Sequence, residues 1–270
     1  MCGKTFAGCE PVGEGMKRYL YNYQTLVDFS CPVTQHAILL RCIPMPHAQV
    51  SVVERHVILS SGFWTQLQKD SFGNWVRYGG QRDAHRSLAY VSVGVVSVGE
   101  YRQEAMGIPH EAFLLPTPVT TLVKTPEMAA LVMTGKAEED AMTLCTFVHD
   151  MLTYTPACTH VGTTVAEIMA TRKGVCQDYA HLMIALCRQY GIAARYACGF
   201  MEGVGETHAW VEVFDGYGWI GFDPTHNRRI SYGYLKLAHG RDAIDCPVSR
   251  GTYCGGAAEQ SQFIVTLKEI

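Results

Sequence analysis

Gly174-Val175-Cys176-Gln177-Asp178 is a glycine-led turn running into an apolar helix, with a cysteine at the junction. Farther along, Thr207-His208-Ala209-Trp210-Val211-Glu212-Val213 reads as a strand, and a second strand, Gly218 to Phe222, ends on Asp223-Pro224-Thr225. Cysteine, histidine and aspartate in this order are the parts of a thiol nucleophile, its base and the group that orients the base. A thiol attacks only as thiolate, and the unpaired N–H groups of a helix N-terminus favour negative charge there. Gly174 lets the backbone approach a bound carbonyl without a side chain in the way, and the Cys176 N–H becomes a donor for the developing oxyanion.

Taken singly, each residue has a plain structural reading: a helix-core thiol, a strand imidazole, a strand-end carboxylate capping its turn. The hairpin favours the joint reading. Asp215-Gly216 between two β-runs is a preferred two-residue turn. With that loop Phe214 would face Tyr217, and His208 would stand directly opposite Asp223, with Cβ atoms about 5 Å apart. At that separation a carboxylate can hold an imidazole N–H and fix its tautomer. His181 and Asp178 belong to the first turns of the helix, His226 is expected to be exposed, and Trp210 and Trp219 are expected to pack across the hairpin.

The elements that must position these residues divide by period. From Met16 to Tyr101 the runs are short, rich in β-branched and aromatic residues, and punctuated by Cys31-Pro32, Pro44-Met45-Pro46 and Asp70-Ser71-Phe72-Gly73-Asn74. They predict an antiparallel sandwich of six or seven strands over 15–105, after a glycine-rich tail at 1–14. Residues 106–126 carry Pro109, Pro116, Pro118 and Pro126 and read as a linker. Beyond it, over 127–270, Met142, Cys145, Val148 and Leu152 recur at helical steps. Thr163-Thr164 offers a cap before Val165, and Gly191 a terminator for the helix that begins at Cys176. Phe263 to Leu267 alternates and is expected to close the sheet of this second half. The fold class is α+β.

With 270 residues, 48% hydrophobic, 17% charged and a net charge of −3, the chain has the composition of a globular protein. No basic run suggests nucleic acid or an anionic membrane as partner. Met1 to Glu10 has no apolar core or cleavage pattern, and Leu88 to Val98 is too short to span a bilayer, so a cytoplasmic protein is expected. The 11 cysteines include no Cys-x-x-Cys pair and the 11 histidines are scattered. Reduced thiols are expected, with no metal site and no cofactor.

Residues 171–227 resemble the transglutaminase-like superfamily. The likeness rests on Arg172-Lys173-Gly174-Val175-Cys176-Gln177-Asp178-Tyr179-Ala180-His181-Leu182, Gly191-Ile192-Ala193-Ala194-Arg195-Tyr196, His208-Ala209-Trp210 and Gly221-Phe222-Asp223-Pro224-Thr225. It is strongest to the bacterial branch described as transglutaminase-like cysteine proteases, and Tyr19-Leu20-Tyr21, Cys31-Pro32-Val33 and Leu40-Arg41 resemble that branch's accessory β-domain. The resemblance implies a papain-like core behind the β-domain, with Cys176 as nucleophile, His208 as base and Asp223 as orienter. The second oxyanion donor is not placed by the motif; Tyr154 is the candidate. Ala243-Ile244-Asp245-Cys246 departs from the branch's aromatic residue and proline-rich turn, so the substrate wall there is expected to differ. The expected chemistry is acyl transfer from an amide of a peptide or protein substrate. Water as acceptor makes a peptidase or amidase, the reading preferred here; an amine makes a cross-linking transglutaminase; and a non-catalytic peptide-binding module is the alternative from another class.

Overall fold

The computed structural model describes residues 15–47, 49–104, 109–123 and 125–270; the expected tail at 1–14 lies outside them. The first half is a series of antiparallel strands: β1 (Lys17–Leu40), β2 (Val50–Leu59), β3 (Trp64–Lys69), β4 (Trp75–Gln81) and β5 (His85–Val98). After β6 (Gln103–Glu104) come α1 (Ala137–Met151), β7 (Thr153–Tyr154), α2 (Val165–Thr171), β8 (Lys173–Gly174) and α3 (Cys176–Gln189). The remaining strands are β9 (Ala194–Met201), β10 (Gly203–Gly205), β11 (His208–Phe214), β12 (Gly218–Asp223), β13 (Arg228–Arg229), β14 (Tyr234–Gly240), β15 (Ser249–Cys254) and β16 (Glu259–Glu269).

The long strand β1 organises the first sheet. Its residues 19–28 lie between β5 and β16, and its residues 37–40 lie between β4 and β15. Gln35, in the left-handed region at φ 53°, and the register shifts around it mark where β1 turns from one set of partners to the other. The strands expected in the first half are therefore present, but they do not close on themselves as a sandwich. They form one curled, eight-stranded antiparallel sheet that takes β10, β15 and β16 from the second half. The run Phe263 to Leu267 pairs with β1 and not with the sheet of the second half, as alternation alone had suggested.

That other sheet has the order β13-β12-β11-β9-β14, with β6 added beside β12. One face packs on α3, which is buried from Asp178 through Arg188. Leu182, Ile184 and Leu186 share a core with Val211, Val213, Ile220 and Phe222, as expected for a helix apolar almost all round. Gly191, at φ 74°, ends α3, and the Ile192 N–H donates back to the Cys187 carbonyl, a Schellman-type stop. Thr164 and Glu167 form a reciprocal capping box on α2, the expected cap made in full.

The stretch read as a linker is packed down. Phe113, Thr117, Val119 and Thr120 are buried, and Arg188 of α3 donates to the Phe113 carbonyl and the Thr120 hydroxyl. On the sheet face away from α3, Glu212 is fully enclosed with Arg195 Nε at 2.6 Å, Lys236 Nζ at 2.9 Å and the Tyr101 hydroxyl at 2.6 Å. Burial alone would push the Lys236 ammonium down; Glu212 opposes it, and the amine settles at about 7. Buried charges persist because each has a partner.

Candidate active site

Cys176 is the first residue of α3, where helix N–H groups lack intrahelical partners. The turn leading into it is held by Asp178, whose Oδ2 accepts the Val175 N–H at 2.7 Å and the Thr159 hydroxyl at 2.6 Å. Gly174 is required by this packing: a Cβ there would lie 2.5 Å from the Asp178 Cβ. The parallel pairing of β7 with β8 sets Tyr154 beside Gly174, and its phenol is close enough to Cys176 for the thiolate charge to add to the burial that raises its pKa. Tyr154 therefore stands on the rim of the nucleophile.

His208 opens β11 and Asp223 closes β12. The register between them is not the expected one. Phe214 pairs with Trp219, not Tyr217, because the hairpin is a four-residue loop. Asp215 Oδ1 accepts the N–H groups of both Tyr217 and Gly218, which stabilises the longer turn. The shift is two residues, so His208 and Asp223 keep the same face and become diagonal neighbours, a separation long side chains can span. They do span it: His208 Nε2 donates to Asp223 Oδ2 at 2.8 Å. That leaves Nδ1 on the side of Cys176, which borders the same clefts as His208 and lies close enough to favour the imidazolium.

Both partners change how His208 titrates. Burial penalises the imidazolium, but the Asp223 and Cys176 hydrogen bonds and charges outweigh it and raise the pKa to about 9. For Asp223, burial alone would favour the acid. Hydrogen bonds from His208, His226 and Tyr234 overcome this and hold the carboxyl well below its usual range. Oδ2 accepts from His208, from His226 Nδ1 at 2.7 Å and from the Tyr234 hydroxyl at 2.5 Å, while Oδ1 accepts the backbone N–H groups of Thr225 and His226. Arg228 then donates to the Tyr234 oxygen through Nε and Nη2, at 3.0 and 2.6 Å.

His226 is exposed, as expected, yet its Nδ1 also donates to the Asp223 carboxylate. Its position three residues after Asp223, across Pro224-Thr225, was the available signal. Tyr234 and Arg228 had none, since the first reaches Asp223 only through the pairing of β14 with β9. His208, Asp223 and His226 also have donor atoms within 4.8 Å of one another, the span of a divalent cation's ligands, and their donors are engaged with each other through Oδ2. His181 is fully buried; its Nε2 accepts the Ala243 N–H, and burial lowers its pKa to about 4, so the neutral ring pins the loop after β14.

Two open lobes meet at Cys176 and His208. The smaller, about 410 Å³, lies between the two sheets: Tyr23, Thr25 and Phe263 form one wall, and Ala243, Cys246 and Pro247 the other. The segment that departs from the bacterial branch's pattern is thus part of the groove. The larger, about 850 Å³, is bounded by Tyr154, Pro156, Thr225, His226 and the residues of β10. Neither tryptophan of the hairpin lines the groove or packs on the other. Trp210 sits with Tyr101 and Tyr234, and Trp219 lies under the Arg195 guanidinium at 4.1 Å.

A thiol at a helix N-terminus beside an imidazole held by a carboxylate is an arrangement suited to thiol-dependent acyl transfer. The profile described as Transglutaminase-like superfamily matches residues 127–224. An uncharacterised protein of Mycobacterium tuberculosis is 30% identical over 220 residues, which is 68% of this chain and 70% of that one. An uncharacterised protein of Mycobacterium leprae is 33% identical over 129 residues, 44% of this chain and 46% of its own. The chain belongs to the transglutaminase-like superfamily. In fold it is similar to a crystallised protein of Cytophaga hutchinsonii described as a candidate cysteine protease, at 18% identity and a TM-score of 0.77, covering 94% of this chain and 91% of that one.

Proposed function

We propose that this protein hydrolyses an amide bond of a peptide or protein substrate through a Cys176 thioester. The observation that carries the reading is the juxtaposition of Cys176 at the start of α3, lining the same two clefts as His208, with His208 held by Asp223 at 2.8 Å. His208 takes the thiol proton and returns it to the leaving amine, and Asp223 keeps Nδ1 aimed at the sulfur by holding Nε2. The Cys176 N–H, with Tyr154 on the rim, receives the oxyanion. Hydrolysis is favoured over amine transfer because the nucleophile lies at the junction of two open lobes, where water reaches the thioester without a dedicated acceptor channel.

The nine described cysteines are free thiols, and no described helix is long and apolar enough to cross a membrane. A reducing compartment such as the cytoplasm suits a thiol nucleophile among so many unpaired cysteines. The test is incubation with unfolded casein and a fluorescent alkylamine. New peptide termini, absent with Cys176→Ala, are expected; efficient amine incorporation without new termini would overturn hydrolysis.

A further inference from the structure

The strand β10 pairs with β16 along one edge only and is the terminal strand of its sheet. Residues 202–206 are exposed, and Val204 is 72% exposed although apolar. A side chain added at Gly203 or Gly205 would meet open space, so nothing covers the faces of the strand at those positions. An edge strand presents alternate N–H and C=O groups unpaired, a template for another extended chain. This edge borders the 850 Å³ lobe that contains Cys176 and His208. Only Glu206 and Thr207 separate it from the catalytic base.

The geometry points to β10 as the recognition strand for substrate: an unfolded, extended peptide segment adds to its free edge and carries its scissile bond to Cys176. This rests on the hydrolase reading and names the substrate class for it. Main-chain hydrogen bonds would supply affinity with little demand on sequence. Gly203 and Gly205 have no side chains, which leaves Val204 as the single apolar contact of β10. At roughly 3.4 Å per residue, the distance from Gly205 to His208 is covered by about three substrate residues. A folded domain does not offer such a free strand, so compact proteins would be poor substrates.

The test uses the full chain and acetyl-peptidyl chloromethyl ketones of alternating valine and alanine, one to five residues long, which alkylate Cys176 without requiring turnover. Iodoacetamide serves as the reagent that needs no strand. The second-order labelling rate is expected to rise with length to about three or four residues and then level. Methylating single backbone nitrogens of the longest reagent should lower the rate about three- to tenfold at alternate positions and leave the intervening ones unchanged, since outward-facing groups alternate along a strand. Length-independent labelling by the ketones, with Cys176 still selectively alkylated by iodoacetamide, would overturn strand addition and leave the nucleophile reading standing. The same result together with a dimer in sedimentation would assign the edge to a second copy of this chain. Failure of both reagents to select Cys176 would remove the hydrolase reading itself, and this inference with it.

Discussion

Replacing Asp223 by Asn is the most direct probe of the site. Asn keeps the side-chain volume and an oxygen for the Thr225 and His226 N–H groups, but it removes the charge that faces His208. His208 is raised from 6.5 to about 9 against the cost of its burial. At about 1.4 kcal/mol per unit this is on the order of 3 kcal/mol in favour of the imidazolium. Asp223 is the foremost cause opposing burial and Cys176 the second, so losing the Asp223 charge is expected to slow the reaction by at least about tenfold. The loss should appear in the rate of iodoacetamide alkylation at Cys176 at neutral pH and in kcat/KM. In the wild-type protein the imidazolium, the form that the proposed reaction needs to protonate a leaving amine, is lost as pH rises through about 9, so activity should fall there. In Asp223→Asn, burial acts with much less opposition and that limb should move below the ordinary histidine range. The same titration affects stability: the His208 contribution is complete below pH 6.5 and disappears as pH climbs through about 9. A folded Asp223→Asn protein that alkylates within threefold of wild type, with its alkaline limb still near 9, would refute the assignment.

Glu212→Gln leaves Arg195 and Lys236 buried without their shared counter-charge and should destabilise the fold by about 3–5 kcal/mol in urea titration; a loss under about 1 kcal/mol would mean water reaches the pair. Gly174→Ala forces its new Cβ onto Asp178 and should slow Cys176 alkylation at least about tenfold while the circular dichroism spectrum is kept. Tyr234→Phe removes a donor from Asp223 and the acceptor of Arg228, and should cost about 1–2 kcal/mol of stability. With one donor fewer, the carboxylate holds the His208 proton more firmly, so the histidine resonance should titrate at higher pH; a shift to lower pH would contradict the hydrogen bond's direction.

The place of Cys176 at a helix start, that helix, and the ends of α2 and α3 were legible because each is written in adjacent residues: a glycine turn, an apolar run, Thr163-Thr164 before Val165, Gly191 after the last turn. The hairpin was legible as a hairpin but not in its register. Asp215-Gly216 has the composition of a two-residue turn, and only the Asp215 carboxylate capping Tyr217 and Gly218 selects the longer loop. The site survived that error because a two-residue slip preserves the face. What lay beyond reading was partnership between distant strands. Alternation in Phe263 to Leu267 announces a strand but not that β1 receives it, and nothing near Tyr234 says that its hydroxyl lies 2.5 Å from Asp223.

The pairing of β1 with β16 has a consequence for biogenesis. Lys17 and Glu269, 252 positions apart, meet at one end of that ladder. During synthesis β1 emerges first and waits, one flank open, until nearly all the described chain has followed it. Closure over so long a separation is slow relative to local helix and hairpin formation. Phe263 and Ser261, on that late strand, also wall the cleft beside the thiol. The groove is thus completed only when the late strand docks, well after α3 can form, so a nascent chain carries the Cys176 thiol before the cleft beside it has its second wall.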